Sequence, residues 1–268
     1  MSFSMKILNS GKTIATSSPC GQGISLVHTT KYQEKDVILL EVGGEYGFYW
    51  VKLDEAMAET LVYVSKREEG GILRFPIPFD KDAVCYPPKA FVGDLHVLTA
   101  RKATEAEING RKNLSMNPYD HHQNDCFYPH SKANVETRNE AVFASRNAID
   151  GVFNNDSHGK YPYSSWGVNR DPEAALTLEF GREVVVDEVK ITLRADFPHD
   201  NFWVQGEISF SDGSTEILKF VKSALPQSFP MKPRVVTNLV LFKLIKSDDP
   251  SPFPALTQIE VYGTEKLS

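Results

Sequence analysis

Residues 186–203, which read VDEVKITLRADFPHDNFW, decide the fold prediction for the second half of the chain. Apolar and polar residues alternate from 189 to 193, which is typical of a β-strand with one buried face. The alternation ends at Arg194, and Pro198 turns the chain into a loop rich in charged, aromatic and amide groups. Binding residues concentrate on loops that a rigid scaffold holds. The stretch therefore predicts a strand that leads into a ligand-binding loop.

This loop carries the groups that a hydroxyl-rich ligand requires. Guanidinium and carboxylate groups form bidentate hydrogen bonds, and aromatic rings provide a flat apolar surface. The residues predicted to bind a ligand are Arg194, Asp196, His199, Asp200 and Trp203. An alternative stays open, in which the aromatic residues belong to the core and the arginine forms an ion pair with a neighbouring aspartate.

Composition and charge argue against several classes of protein. The 268 residues are 41% hydrophobic, which is enough for a large core in one or two domains. A net charge of −6 argues against a nucleic-acid partner. Three widely spaced cysteines without a CxxC pair indicate neither a disulfide framework nor a thiolate zinc site. Without a signal-peptide pattern or an apolar run of membrane length, we expect a cytoplasmic protein with no membrane insertion, or a secreted one if a leader was removed.

The first part of the chain, residues 1–102, reads as strands separated by turns. The runs 37–42, 48–53 and 61–65 are apolar, and no long helix is predicted between them. In the run 73–79, apolar residues alternate with one arginine and two prolines, and the prolines confine this strand to the edge of a sheet. Strands at this spacing predict a β-sandwich domain over residues 1–102.

A connector, residues 103–132, follows. Thr104 and Glu107 have the spacing of a capping box, which predicts a short helix. The helix is followed by NPYDHHQNDCFYPH (117–130). Its three histidines and two aspartates suggest a binding site for zinc or another divalent metal ion. These residues are His121, His122, His130, Asp120 and Asp125. Adjacent histidines rarely bind the same ion, and no HExxH spacing is present. One alternative is that this linker packs on the second domain. Another is that one of the histidines lies in the wall of the ligand site.

The last part, residues 133–268, carries the strongest pattern. Alternation recurs at 176–180 and 257–261, and Asp212-Gly213 is a hairpin turn in which glycine permits positive φ. This pattern predicts a β-sandwich of the jelly-roll type. The predicted fold class is therefore all-β, with two β-sandwich domains.

An ordered set of motifs in this part resembles a discoidin domain, the galactose-binding-like jelly roll of coagulation-factor C-type domains and bacterial carbohydrate-binding modules. The motifs are NAIDG (147–151), Trp166, LTLEFG (176–181), VDEVKITLR (186–194), SDGS (211–214) and TQIEVYG (257–263). The resemblance covers about residues 133–264, or half of the chain, and residues 1–102 resemble no family. It implies a shallow ligand site at one end of the sandwich, where His158, Tyr161, Tyr163 and Trp166 would face the Arg194 loop. Trp166 also matches the packing tryptophan of the family.

The same resemblance implies a structural calcium ion where the NAIDG loop meets the last strand. The carboxylates would be Asp150 and Glu260, with Asn155 and Ser157 as further oxygen ligands. Hard oxygen ligands on a flexible loop suit calcium. The loop GVFNNDSHGK (151–160) departs from the shorter pattern of ion-binding members, so a plain turn at Asp150 is the alternative.

The leading functional hypothesis is a non-catalytic carbohydrate-binding protein that recognises a glycan through the loops of its C-terminal domain. The alternative is an enzyme, a hydrolase or lyase, that acts on a sugar with histidine and aspartate side chains between the domains. Its residues would be His121, His122, His130, His158, His199, Asp196 and Asp200. A third hypothesis is a structural or adhesion protein, and the sequence leaves the sugar and the oligomeric state open.

Overall fold

The structure, a computed structural model, describes residues 3–66, 71–124, 126–154, 159–195 and 201–266. Antiparallel sheets dominate these ranges, so the predicted all-β fold class is confirmed. None of the helices in these ranges has the length and apolar character needed to cross a bilayer.

The first sandwich is built from nine strands and one helical turn. In chain order they are β1 (Ser4–Asn9), β2 (Lys12–Thr16), β3 (Ser18–Cys20), β4 (Gly23–His28), β5 (Asp36–Glu41), β6 (Gly47–Lys52), β7 (Thr60–Val64), β8 (Ile72–Pro76), α1 (Asp80–Ala83) and β9 (His96–Lys102). One sheet has the order β2-β1-β5-β8, and the other includes β7-β6-β9-β4-β3. The proline-containing strand β8 lies at a sheet edge, which confirms that prediction. Alternate residues of both sheets, among them Met5, Leu26 and Ile38, are fully buried between the layers.

The connector contributes strands to both halves of the molecule. It contains α2 (Glu105–Asn109), β10 (Lys112–Asn113), β11 (Phe127–Tyr128) and β12 (His130–Ala133). Helix α2 begins at the predicted capping box, since the backbone N–H of Thr104 donates to the carboxylate of Glu107 at 2.8 Å. Strand β11 pairs with β7 of the first sandwich, whereas β10 and β12 pair with strands of the second.

The second sandwich depends on two long bent strands. Three 3₁₀ segments (137–139, 141–143 and 145–149) precede β13 (Trp166–Gly167), β14 (Leu176–Leu193), β15 (Trp203–Phe210), β16 (Thr215–Lys219), β17 (Gln227–Lys246) and β18 (Ala255–Glu265). Strands β14 and β17 pair along most of their lengths, with an irregularity between Glu179 and Val184. N-terminal to this irregularity, β14 also pairs with β12. C-terminal to it, β14 pairs with β18, so the two parts of β14 have different neighbouring strands.

The irregular point of β14 contacts the first sandwich. Gly181 has a φ of +69°, and a Cβ there would overlap the ring of Tyr128. The next residue, Arg182, binds both carboxylate oxygens of Glu265 at 2.7 Å. Its guanidinium carbon lies 4.8 Å and 4.9 Å from the ring centres of Phe48 and Tyr63. One arginine of the second sandwich thus packs on two aromatic rings of the first.

Candidate functional site

A cleft of about 100 Å³ lies at the end of the second sandwich where β14 ends. Arg194 directly follows β14, and its backbone N–H donates to the carbonyl of Ala255 at 3.0 Å, which joins it to the start of β18. Its side chain lines the cleft although the residue is only 2% exposed. Arg194 therefore lies where β14 ends at a cleft, and its predicted role in ligand binding stays a prediction.

Three arginines line this cleft, and each packs on an aromatic ring that also lines it. The guanidinium carbon of Arg138 lies 5.4 Å from the ring centre of Phe143, and that of Arg170 lies 4.5 Å from Phe253. Arg194 lies over the ring of Tyr163. A guanidinium held flat on a ring keeps its N–H groups in a defined plane, from which they can donate to a ligand.

The rim of the cleft is formed by backbone in an unusual conformation. Arg138, Asn169 and Arg170 all have left-handed φ values, between +49° and +62°. The backbone N–H of Asn169 donates to the hydroxyl of Thr137 at 2.9 Å, which ties the two rim segments together. Left-handed residues other than glycine cost free energy, and they cluster at ligand sites more often than elsewhere.

Gly167 permits the close approach of these rim segments. A Cβ at this position would lie 2.6 Å from the hydroxyl oxygen of Thr137 and 3.2 Å from Phe143. A side chain at Gly167 would thus displace the wall of the cleft.

Two of the predicted ligand-binding residues lie in the core instead. Trp166 is fully buried and Trp203 is 2% exposed, and their ring centres lie 6.4 Å apart. The indole N–H of Trp166 donates to the carbonyl of Val135 at 2.9 Å. This corrects the predicted role of both tryptophans, because a ring enclosed by neighbouring side chains has no face left for a ligand. A large ring stabilises the folded state more when it is buried than when it is exposed to bind a ligand, and both tryptophan rings are buried here.

The remaining predicted ligand residues, Asp196, His199, Asp200 and His158, lie outside the described residues. Their roles stay predictions. Conversely, sequence reasoning did not identify Arg138, Phe143, Arg170 and Phe253, which the fold brings to the same cleft as Arg194. A signal for one of them was present, because Asn169-Arg170-Asp171-Pro172 reads as a turn before the predicted strand at 176–180.

The contacts of Asp150 do not fit the predicted calcium ion. The side-chain amide N–H groups of Gln258 donate to the carboxylate of Asp150 at 2.8 Å and to the carbonyl of Asn147 at 2.6 Å. An amide donor thus links the two oxygens that a cation would bind. Glu260 accepts a hydrogen bond from the hydroxyl of Tyr262 at 2.8 Å. The other two predicted ligands, Asn155 and Ser157, lie outside the described residues.

The connector histidines lie beside a second, larger cleft between the two sandwiches. This cleft has a volume of about 360 Å³, and His121, His122, Glu136 and Arg146 are among the residues that line it. The imidazole of His122 lies 2.8 Å from the carboxylate of Glu136, and this hydrogen bond raises the pKa of His122. Burial lowers the pKa of His121. The two neighbouring histidines therefore differ in charge preference near neutral pH.

His130 belongs to a buried hydrogen-bond network rather than to this cleft. Its Nδ1 lies 2.6 Å from the carboxylate of Asp120, which also accepts from the backbone N–H and the hydroxyl of Ser131, both at 2.9 Å. Burial alone would raise the pKa of Asp120, but these donors together lower it. Within the described ranges no group of three or more histidine, cysteine or acidic side chains is placed to hold a metal ion, and Asp125 lies outside them.

No protein-family model matches the chain, and no curated protein matches its sequence. Similar solved structures exist, however. Over about half its length, the chain is similar to carbohydrate-binding modules and a lectin domain. These are the kind of protein that the sequence resemblance named.

Three of these structures illustrate the similarity. The family 32 carbohydrate-binding module of Clostridium perfringens NanJ, in complex with galactose, is 18% identical, and the match covers 49% of this chain and 91% of that one with a TM-score of 0.38. A Streptococcus pneumoniae fucose-binding module is 15% identical, with 57% and 99% covered and a TM-score of 0.41. The lectin domain of lectinolysin, complexed with Lewis B antigen, is 13% identical, with 57% and 97% covered and a TM-score of 0.42. Values this low carry no argument about the ligand of this chain, which depends on the contacts in its own clefts.

Proposed function

We propose that this protein binds a glycan in the cleft at the end of its second sandwich. The observation that carries the proposal is the set of three arginine–aromatic pairs that line the cleft, of which Arg170–Phe253 is exposed and Arg194–Tyr163 is buried. Guanidinium groups donate paired hydrogen bonds to vicinal hydroxyls, and an aromatic face packs against the C–H groups of a sugar ring. The arrangement combines the two features that sugar recognition requires.

The size of the cleft limits the ligand to a terminal sugar unit. A volume of about 100 Å³ is small beside the several hundred Å³ of an enclosed site for a drug-sized ligand. We therefore expect weak binding to a single unit, with dissociation constants on the order of micromolar to millimolar. Tight attachment would need several copies of the protein on one multivalent glycan surface.

Binding can be tested with a glycan array, followed by calorimetric titration of the best hit. Phe253→Ala removes an exposed ring of the cleft and should weaken binding about tenfold, because it removes both the platform and the support of Arg170. Phe153→Ala is a matched control, since Phe153 is 39% exposed and Phe253 37%, and Phe153 does not line the cleft. A folded protein that binds no glycan on the array would contradict the proposal.

The enzyme hypothesis is favoured by one observation, the position of His122 and Glu136 in the cleft between the sandwiches. Glu136 also accepts the backbone N–H of Ser145 at 2.8 Å, so the carboxylate is held in place behind the imidazole. A histidine oriented by a carboxylate is a common proton donor or acceptor in catalysis. The larger cleft would then be a catalytic site for a sugar and the smaller one its binding site.

This second function is tested by product formation. Chromogenic glycosides and uronic-acid oligosaccharides are incubated with the protein, and release of the chromophore or of an unsaturated product is followed. If the larger cleft is catalytic, His122→Gln lowers turnover by at least about a hundredfold without weakening glycan binding in the smaller cleft. An absence of product from every substrate would leave glycan binding as the only proposed function.

A further inference from the structure

The described lining of the small cleft is rich in arginine, although the chain as a whole is acidic. The chain carries a net charge of −6, yet the described residues that line the cleft include three arginines and no aspartate or glutamate. Arg138 is bound to Glu140 at 2.7 Å and 2.8 Å, and Glu140 lies outside the cleft wall. The charge of Arg138 is therefore compensated, so an attraction for anions depends on Arg170.

Arg170 is the arginine of the cleft that is placed to attract an anion. It is exposed at the mouth of the cleft, and it forms no ion pair with any residue that the structure describes. Its guanidinium is nevertheless held in place, because it lies 4.5 Å from the ring centre of Phe253. An unneutralised arginine that is already ordered loses less conformational entropy when it binds a ligand than a free surface arginine does.

The backbone directs Arg170 toward the cleft at a cost in free energy. Arg170 and its neighbour Asn169 have φ values of +62° and +49°, which are unfavourable for residues with a Cβ. Two hydrogen bonds fix this turn: the N–H of Asn169 donates to Thr137, and the N–H of Asp171 donates to the carbonyl of Val168 at 2.8 Å. Strain of this kind persists where the surrounding structure enforces it, and often where a side chain must be presented to a ligand.

We infer that the glycan bound in this cleft carries an anionic group, a carboxylate or a sulfate ester, and that Arg170 binds this group. The inference rests on the proposed glycan-binding function and names its ligand class. A planar guanidinium matches the two oxygens of a carboxylate or sulfate with two parallel N–H donors. The ring of Phe253 lies 4.5 Å from the guanidinium carbon of Arg170 and limits the motion of this side chain at the cleft.

The inference is tested with pairs of sugars that differ only in the anionic group. Methyl galactoside is compared with methyl galacturonoside, methyl glucoside with methyl glucuronoside, and lactose with 3′-sulfolactose. We expect at least one anionic member to bind about tenfold more tightly than its neutral parent, since a charge-assisted hydrogen bond is stronger than a neutral one. This preference should decline as sodium chloride rises from 50 to 500 mM, because Arg170 is exposed. The carboxylate and sulfate arms distinguish the two sources of charge.

Substitutions assign the preference to Arg170. Arg170→Gln should reduce the tenfold preference to less than about twofold, and Arg170→Lys should retain part of it, because lysine keeps the charge but not the fork. Arg74→Gln, which removes an exposed arginine of the first sandwich, serves as the matched control and should retain the full preference. Equal binding of neutral and anionic members, or a preference unchanged in Arg170→Gln, overturns the inference while glycan binding stands. Binding of no sugar at all overturns the proposed function itself.

Discussion

Asp150 and Asp120 are both buried carboxyl groups, but their environments shift their pKa values in opposite directions. Asp150 is 6% exposed and accepts from the backbone of Val152 and from Gln258, and burial raises its pKa to about 6. Asp120 is fully buried and has enough donors that its pKa falls. The interaction of Asp120 with His130, together with its other donors, separates the two pKa values although both carboxyl groups are buried.

The raised pKa of Asp150 predicts a pH dependence of stability. In the unfolded chain its pKa is near the ordinary value of 3.8, so between pH 4 and 6 the folded state binds more protons than the unfolded state. The contribution of Asp150 to the free energy of unfolding therefore falls as pH rises through this window, by about 3 kcal/mol in total. Asp150→Asn keeps the acceptor oxygen but not the charge, so it should be more stable than the native protein at pH 7 and similar to it at pH 4.

Urea unfolding from pH 4 to pH 8 measures this difference. Asp94→Asn, at an exposed position, is the control and should follow the native pH profile. Identical profiles for Asp150→Asn and the native protein would show that Asp150 is ionised without cost.

Gln258 leads to a prediction about metal dependence. Because its amide already donates to Asp150 and to the Asn147 carbonyl, we expect chelation by EDTA to leave the melting temperature unchanged. Gln258→Glu replaces this donor with a third oxygen ligand and should lower the melting temperature in EDTA, with partial recovery in millimolar calcium. A native protein that loses several degrees in EDTA and regains them with calcium would support the calcium ion that the family resemblance implied.

At the scale of the elements, the bend in β14 has a steric cause. Gly181 adopts positive φ where the ladder with β17 is interrupted, and the ring of Tyr128 packs directly against its Cα. The connector strand β11, which contains Tyr128, is held against β7 of the first sandwich. A glycine at this position therefore permits both the bend and the contact between the sandwiches.

Gly181→Ala should lower the free energy of unfolding by more than a change in backbone preference alone. We expect about 1 kcal/mol for the positive φ and about 1–3 kcal/mol more for displacement of the Tyr128 ring. Gly213→Ala separates the two contributions, because Gly213 has a φ of +85° with open space around it. Chemical denaturation measures the free energy of unfolding of both variants. If both lose the same amount, the contact with Tyr128 adds nothing to the cost of the substitution at Gly181.

At the scale of the molecule, Arg182 is a central contact between the sandwiches. Its side chain is 12% exposed, its ion-pair partner Glu265 is 7% exposed, and two rings of the first sandwich cover its guanidinium. Removal of Arg182 would leave the buried carboxylate of Glu265 with a single, longer ion pair, to Lys112 at 3.3 Å, and would uncover the two rings. Both sandwiches should therefore unfold together only while this contact is intact.

Arg182→Ala should destabilise the protein by about 3 kcal/mol and separate its unfolding into two transitions. Calorimetry and tryptophan fluorescence test this, because Trp50 lies in the first sandwich, and Trp166 and Trp203 lie in the second. Arg111→Ala, at an arginine that pairs with Asp187 on the surface, should cost less than about 1 kcal/mol. If Arg182→Ala unfolds in a single transition at an unchanged temperature, other contacts couple the unfolding of the two sandwiches.

Local patterns in the sequence determined the all-β class, the edge position of β8, the helix start at Thr104 and the end of β14 at Arg194. Each of these depends on backbone preferences or side-chain alternation within a few residues, so the chemistry that causes them is visible in a short stretch. Only the tertiary structure decided that Trp203 enters the core. A loop residue next to a strand end can point either way, and the surrounding layers select its direction.

Only the tertiary structure likewise decided which residues form the candidate site. Arg138, Arg170 and Phe253 are more than 30 and more than 80 residues apart along the chain, and no local preference links them. They meet because the 3₁₀ segments, the turn after β13 and the start of β18 close on one end of the sandwich. Sequence alone thus predicted where one arginine of the site lies, whereas the folding of distant loops onto one edge decided that three arginines and their rings share a cleft.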